Sequence, residues 1–182
     1  MSDTQRRVIV LDTSAFIAGF DPFSINEEEY TVPTVKEEIS EKSTPYLRFK
    51  TAEESGKIKL RIPEQNFLEQ VKECATSVGD AFFLSRTDQQ VLALALQLKT
   101  RGYHPMIATD DYSIQNVARK MNIESVPLAT FGIRTHLRWM RYCPGCYRKY
   151  ASDYKLSICE ICGTRLKRKS LKNQSHTNDA QT

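Results

Sequence analysis

Apolar residues along the chain fall into short continuous blocks and longer periodic stretches, separated by polar turns. Val8-Ile9-Val10-Leu11 is a continuous apolar run ending in Asp12, the pattern of a buried parallel strand. Thr13 and Ser14 follow as candidate helix caps, then Ala15-Phe16-Ile17-Ala18, with Gly19 as a stop. Tyr30-Thr31-Val32-Pro33 reads as a second strand. From Thr34 a helix is predicted, with Val35, Ile39, Tyr46, Leu47 and Phe49 inward, bent near Pro45 and closed by Gly56. Lys57 to Ile62 alternates basic and apolar residues, as an exposed or edge strand does. Pro63 and Glu64 open a helix with Phe67, Leu68 and Val71 on one face, and Gly79-Asp80 breaks it. Ser85 to Lys99 is apolar on most sides and should be a mostly buried helix. Met106-Ile107-Ala108-Thr109 is a strand ending in Asp110-Asp111, followed by a helix with Ile114, Val117, Ala118 and Met121 inward. Ile123 to Leu128 is the last strand. Alternating strands and helices imply an α/β domain, a mainly parallel sheet with helices on both faces.

In such a sheet ligands gather outside the carboxyl ends of the strands. Asp12 and the pair Asp110-Asp111 end strands, while Glu38 and Asp88 lie where helices begin near that edge. Clustered carboxylates repel one another, and a divalent cation relieves the repulsion. Mg2+ or Mn2+ prefers oxygen ligands and can activate water toward a phosphodiester. Each acid also has a purely structural reading. Asp88 fits a capping box in Ser85-Arg86-Thr87-Asp88, Asp110 or Asp111 could cap the next helix, and Glu38 could be a surface acid like Glu37 and Glu41. Asp12, at the end of a buried strand with no cap geometry required, is the hardest to set aside.

The texture changes at about Phe131. Met1 to Ile133 carries 15 Lys/Arg against 19 Asp/Glu, whereas Arg134 to Thr182 carries 11 against 3. The basic part holds Cys143-Pro144-Gly145-Cys146 and Cys159-Glu160-Ile161-Cys162-Gly163, two C-x2-C knuckles twelve residues apart. Four thiolates complete a tetrahedral Zn2+ site and leave no open position for catalysis. Rubredoxin-like iron would use the same ligands, and two disulfides would need a secreted chain. Cys74 stands alone and reads as an inert thiol, and His104, His136 and His176 form no metal pattern. Arg138, Arg141, Arg148, Lys149, Lys167, Arg168 and Lys169 interleave with aromatic residues. That mixture suits RNA, the cations on phosphates and the rings on unpaired bases. A solvated basic tail and a small ribbon core, with Tyr142 and Tyr150 inside, are the plainer alternatives. No apolar run of membrane-spanning length and no signal peptide is present, so a cytoplasmic protein is expected.

Four segments together resemble the PIN domain: Val8 to Ile17, Val32 to Ile39, Ser85-Arg86-Thr87-Asp88 before its apolar helix, and Ala108-Thr109-Asp110-Asp111-Tyr112. The resemblance implies a three-layer α/β/α metal-dependent ribonuclease. Its acids would map to Asp12, Glu38, Asp88 and Asp111, with Asp110 as a neighbour that could share the role and with Glu38 preferred to Glu37 for standing directly before Ile39. Metal would lie on Asp12, Asp88 and Asp111, with Thr13, Ser14 and Thr109 as polar supports. A PIN domain joined to a zinc ribbon is a narrower combination. From about Arg7 to Lys169 the chain is similar to the PIN-plus-ribbon endonucleases that trim the 3′ end of precursor small-subunit rRNA, in their compact archaeal form. This implies an RNA substrate on a pre-small-subunit ribosomal particle, cleaved with Mn2+ or Mg2+. The expected divisions are a nuclease domain at 1–130, a linker or short helix at 131–141, a ribbon at 142–169 and a disordered tail at 170–182. A toxin-like PIN ribonuclease acting on transfer or messenger RNA, and an RNA-binding assembly factor without activity, are the other readings.

Overall fold

The computed structural model describes residues 6–132, 137–151, 154 and 156–172, with residues 137–139 and 168–172 as backbone alone. The chain divides into two compact units, Met1–Arg134 and Thr135–Thr182.

In the first unit β1 (Arg7–Leu11) is central, and Val8 to Leu11 are buried as their apolar run predicts. Around it stand β2 (Glu28–Thr31), β3 (Ile58–Leu60), β4 (His104–Ala108) and β5 (Glu124–Val126). The sheet order is β3-β2-β1-β4-β5, with every pairing parallel. The chain builds outward from β1 to β2 and β3, then returns to the other side of β1 for β4 and β5. The order therefore reverses between β1 and β4, and a crevice forms at their carboxyl ends. β3 is the edge expected from its alternation, and Ile62 beyond it is exposed.

Three helices precede β3: α1 (Thr13–Ala18), α2 (Pro33–Glu38) and α3 (Thr44–Glu54). Three follow it: α4 (Gln65–Ser77), α5 (Arg86–Thr100) and α6 (Tyr112–Lys120). The members of the second set pack on one another, and α5 also packs on β1 and β4. Gly19, at φ 106°, ends α1 in a left-handed turn and donates to the Ala15 and Phe16 carbonyls, conformational freedom that a side chain would restrict. Phe16 meets Phe49 of α3 edge-on, centroids 5.1 Å apart.

The single bent helix expected from Thr34 to Gly56 is two helices. Ile39 turns extended (φ −91°, ψ 128°), and Ser43 caps α3 by accepting from the Tyr46 amide at 3.3 Å. Pro45 sits in the first turn of α3, where its missing N–H does no harm but from which no helix can run backward through it. The break rotates Leu47 outward to 64% exposure, so Phe49 and Ala52 carry the buried face. The last strand is also shorter than predicted, because Pro127 ends it and Leu128–Phe131 forms a 3-10 turn.

Within the sheet Glu29 is fully buried. Neither of its carboxyl oxygens accepts a hydrogen bond, and the Lys57 Nζ lies 3.4 Å away. Burial pushes its pKa up to about 8; Lys57 draws it down, and Asp21 and Glu27 add to the rise.

The second unit is a small antiparallel sheet of β6 (Leu137–Tyr142), β7 (Lys149–Tyr150) and β8 (Lys167–Lys172), in the order β7-β6-β8. Part of the stretch expected as a linker is therefore strand: β6 pairs along its whole length with β8, from Leu137 opposite Lys172 to Tyr142 opposite Lys167. β8 likewise takes Ser170 to Lys172 from the expected tail. His136, His176 and residues 173–182 lie outside the described residues. Cys143, Tyr150 and Cys159 form the core, with Tyr154 and Leu166 against it. Among the described residues no helix is long and apolar enough to cross a membrane.

Candidate functional site

Two of the expected acids, Asp12 and Asp111, meet between the ends of β1 and β4, where both bond the Thr109 hydroxyl. Asp12, directly after β1, is 3% exposed. It is the N-cap of α1, its Oδ1 accepting from the Thr13 amide at 2.7 Å. The cap was not anticipated, and it occupies one oxygen. The other oxygen, Oδ2, accepts from the Ser14 hydroxyl at 2.7 Å and the Thr109 hydroxyl at 3.0 Å. Thr109 follows β4, and its Oγ1 also accepts from the Asp111 amide at 3.0 Å. One buried hydroxyl thus joins two acids that are 99 residues apart in sequence. Asp111 is itself buried and caps α6 through the Ser113 amide at 2.9 Å.

Asp88 is buried at the start of α5, and the capping box is real: Ser85 N–H donates to its Oδ2 at 2.7 Å, and its own amide donates to the Ser85 hydroxyl at 3.1 Å. Capping and the link through Thr109 are therefore compatible in Asp12 and Asp111. A buried contact from Thr34 Oγ1 to Gln90 Oε1 at 2.9 Å ties α2 to α5.

Between Glu37 and Glu38 the geometry discriminates. Both are exposed, and Glu38 accepts from the Thr13 hydroxyl at 2.7 Å, next to Asp12. Asp110 and Asp111 also part company. Asp110 accepts from the Leu128 amide at 2.9 Å and so anchors the turn after β5.

Burial pushes the Asp12 carboxyl up to about 6, and the charge of Asp111 adds to the rise. Hydrogen bonds from Ser14, Thr109 and the Thr13 amide pull the other way. A buried carboxylate beside a second one, both offering hard oxygen, is a donor set suited to a divalent cation. Asp12 and Asp111, joined through the Thr109 hydroxyl, are the pair that could hold it.

Among the described residues the four cysteines are the one cluster already compact enough to hold an ion, their sulfurs all within 4.8 Å of one another. The two knuckles repeat one design. The Cys143 amide donates to the Arg148 carbonyl at 2.9 Å, and the Cys159 amide donates to the Thr164 carbonyl at 2.8 Å. Tyr147 and Gly163 close the turns in left-handed conformation, at φ 59° and 69°. A Cβ on Gly145 would come within 2.8 Å of the Thr164 hydroxyl, so only glycine fits there without displacement. Burial tends to raise the Cys159 thiol, but hydrogen bonds from Tyr150, the Cys162 and Ile161 amides and Cys146 overcome it, drawing the pKa to about 6. At Cys146 the Arg148 backbone draws the thiol down, but its contacts with Cys159, Cys143 and Cys162 overcome this and push it up to about 12, so without metal the four sulfurs share protons that a bound ion would displace. The module fits a zinc ribbon.

The register explains which ribbon cations face solvent. Tyr142 of β6 is opposite both Lys149 and Lys167, and residues directly opposite share a face. Both lysines are exposed, as is Arg148. Arg141 occupies the other face, opposite Tyr150. It is buried and donates to the Leu156 carbonyl at 3.3 Å, so it belongs to the ribbon's interior rather than to an RNA-gripping surface. Arg138, Arg168 and Lys169 have no described side chains.

Comparison with known proteins agrees with this architecture. The model of the PIN domain of ribonuclease matches residues 9–98. Endoribonuclease Nob1 of Methanocaldococcus jannaschii is 42% identical over 168 residues, covering 92% of this chain and 80% of that protein. Endoribonuclease Nob1 of Methanothermobacter thermautotrophicus is 38% identical over 164 residues, 90% and 94% of the two chains. Ribonuclease VapC1 of Thermoplasma acidophilum is 34% identical over 168 residues, 92% and 81%.

Proposed function

The chain belongs to the PIN-domain endoribonucleases of the Nob1 family, and on that premise we propose that it cuts single-stranded precursor 16S rRNA at its mature 3′ end during small-subunit assembly in the cytoplasm. The observation that carries the nuclease chemistry is the joining of Asp12 and Asp111 through the Thr109 hydroxyl at the sheet's reversal point. The rRNA substrate is supported by the resemblance of nearly the whole chain, ribbon included, to the endonucleases with that task.

In this reading Asp12, Asp88 and Asp111 hold a divalent ion, Mn2+ or Mg2+. Once bound, the ion supplies the positive charge that favours water attack on the phosphodiester and stabilises the leaving oxygen. The chain's own groups set the geometry. Ser14, Thr109 and the Thr13 amide fix the Asp12 carboxylate by three hydrogen bonds. Glu38, exposed and held by Thr13, is placed to orient a water or accept its proton. Asp110 serves the fold. Zn2+ on Cys143, Cys146, Cys159 and Cys162 stabilises the ribbon, while Arg148, Lys149 and Lys167 hold RNA phosphates.

The test is incubation of the purified protein with a 3′-extended small-subunit RNA fragment and Mn2+, against an EDTA control and Asp12→Asn. One cut at the mature end, lost in both controls, is expected. Scattered or transfer-RNA cleavage would instead favour a PIN ribonuclease with another substrate, a reading to which the match with ribonuclease VapC1 lends weight. Binding without cleavage would leave an assembly factor.

A further inference from the structure

Two large aromatic side chains stand in solvent on the segments that deliver the acids. Tyr112 is 72% exposed and Phe82 78%. Tyr112 directly follows Asp111 and is the first residue of α6. Phe82 lies in the turn between α4 and α5, three residues before the Ser85 that caps the helix carrying Asp88. That turn is well tied. The Phe83 and Leu84 amides donate to the Asp80 carbonyl at 2.9 and 3.3 Å, and Leu84 is buried. The Gln89 side chain donates to the Leu84 carbonyl at 3.4 Å. The Asp80 carboxylate, in turn, accepts from the side-chain amide of Asn116. Asn116 is four residues after Tyr112, one turn along the same face of α6. A single side-chain bond therefore links the segment bearing Phe82 to the helix face bearing Tyr112.

Each ring carries a large apolar surface that folding leaves in water. Unpaired nucleobases are the ligands such rings take, through π faces that every base possesses. We propose that Tyr112 and Phe82 form a stacking platform for the unpaired bases flanking the scissile phosphodiester, positioning the strand over Asp12, Asp88 and Asp111. The platform rests on the nuclease reading and adds to it two positioning residues. It selects single-stranded over duplex RNA, because paired bases present no free face, and it is tolerant of sequence.

The test uses the full chain and a single-stranded RNA of about ten nucleotides, a length within the usual range of such sites, carrying 2-aminopurine at successive positions. In an Asp12→Asn background, which prevents turnover, stacking should quench the fluorophore at one or two neighbouring positions. Tyr112→Ala and Phe82→Ala should each abolish the quench at one of them, and Tyr112→Trp should restore it. In the otherwise wild-type chain, Tyr112→Ala should raise KM by about five- to hundredfold, the range for loss of one stacked base, with kcat unchanged and the melting temperature unmoved. An RNA lacking the base at the affected position should erase the difference between the wild-type chain and the Tyr112→Ala variant. Quenching that persists in both alanine variants, or a KM that does not move, overturns the platform. A wild-type chain that never cleaves overturns the nuclease reading instead, while the quench still decides the platform.

Discussion

Thr109→Val should weaken metal binding in a way that depends on pH. The residue is fully buried, and valine keeps its shape while removing the hydroxyl that donates to Asp12 at 3.0 Å and accepts from the Asp111 amide at 3.0 Å. A hydrogen bond to a charged acceptor is worth about 1.5–3 kcal/mol. Its loss falls on the ionised form of Asp12, whose pKa is already about 6. The variant should carry that value to about 7 or 8. At pH 7 proton competition alone would then weaken Mn2+ binding about two- to tenfold. The sign is fixed: a raised carboxyl keeps its proton as pH rises until the new value is passed, so most of the deficit should recover by about pH 8.5. The Asp111 amide left without its acceptor should separately lower stability by about 1–3 kcal/mol. The assay is the Mn2+ concentration giving half-maximal cleavage of a labelled RNA across pH 6 to 8.5, with a thermal melt of each variant. Thr109→Ser should behave as wild type. Identical Mn2+ dependence of wild type and Thr109→Val at every pH would refute the coupling of the two acids through this hydroxyl.

Glu29→Gln should flatten the pH dependence of stability. With a folded pKa near 8 against an ordinary 4.5, the wild-type chain should lose about 1.4 kcal/mol per pH unit between those values, read from urea unfolding at pH 5 to 9. Asp111→Asn should abolish cleavage, whereas Asp110→Asn, which keeps the oxygen that accepts from Leu128, should cleave normally; equal loss in both would refute their separation. Cys146→Ser, at an exposed thiol, should cost the protein its zinc as measured by metal analysis, while Cys74→Ser keeps it stoichiometric.

The strands were legible because their signal is strong and local. Val8 to Leu11 is a continuous apolar run that only a doubly covered strand accommodates, and Asp12 marks its end. The helix after β2 was less legible. Its apolar residues keep a helical spacing through Ser40 to Ser43, and only Ser43 and Pro45 betray the restart that turns Leu47 to solvent. Asp12, Asp110 and Asp111 could be placed at strand ends and Glu38 and Asp88 in helices, but neighbouring acids could not be told apart from sequence. Asp110 and Asp111 are adjacent and chemically alike, and what distinguishes them is the Leu128 amide, which reaches Asp110 across the fold. Glu38 was preferred to Glu37 by position, and in the fold it is Glu38 that accepts from the Thr13 hydroxyl. In the ribbon the cysteine spacing announced the metal site. The burial of Arg141 depends on strand register, since one residue's slip would exchange it with Tyr142.

The most direct test of the shared carboxylate site is the anomalous diffraction of a crystal of the whole chain soaked in Mn2+. A single strong peak within coordinating distance of Asp12, Asp88 and Asp111, absent from Asp12→Asn crystals, is the predicted result. Manganese bound elsewhere, or a peak that survives removal of the Asp12 charge, would contradict it.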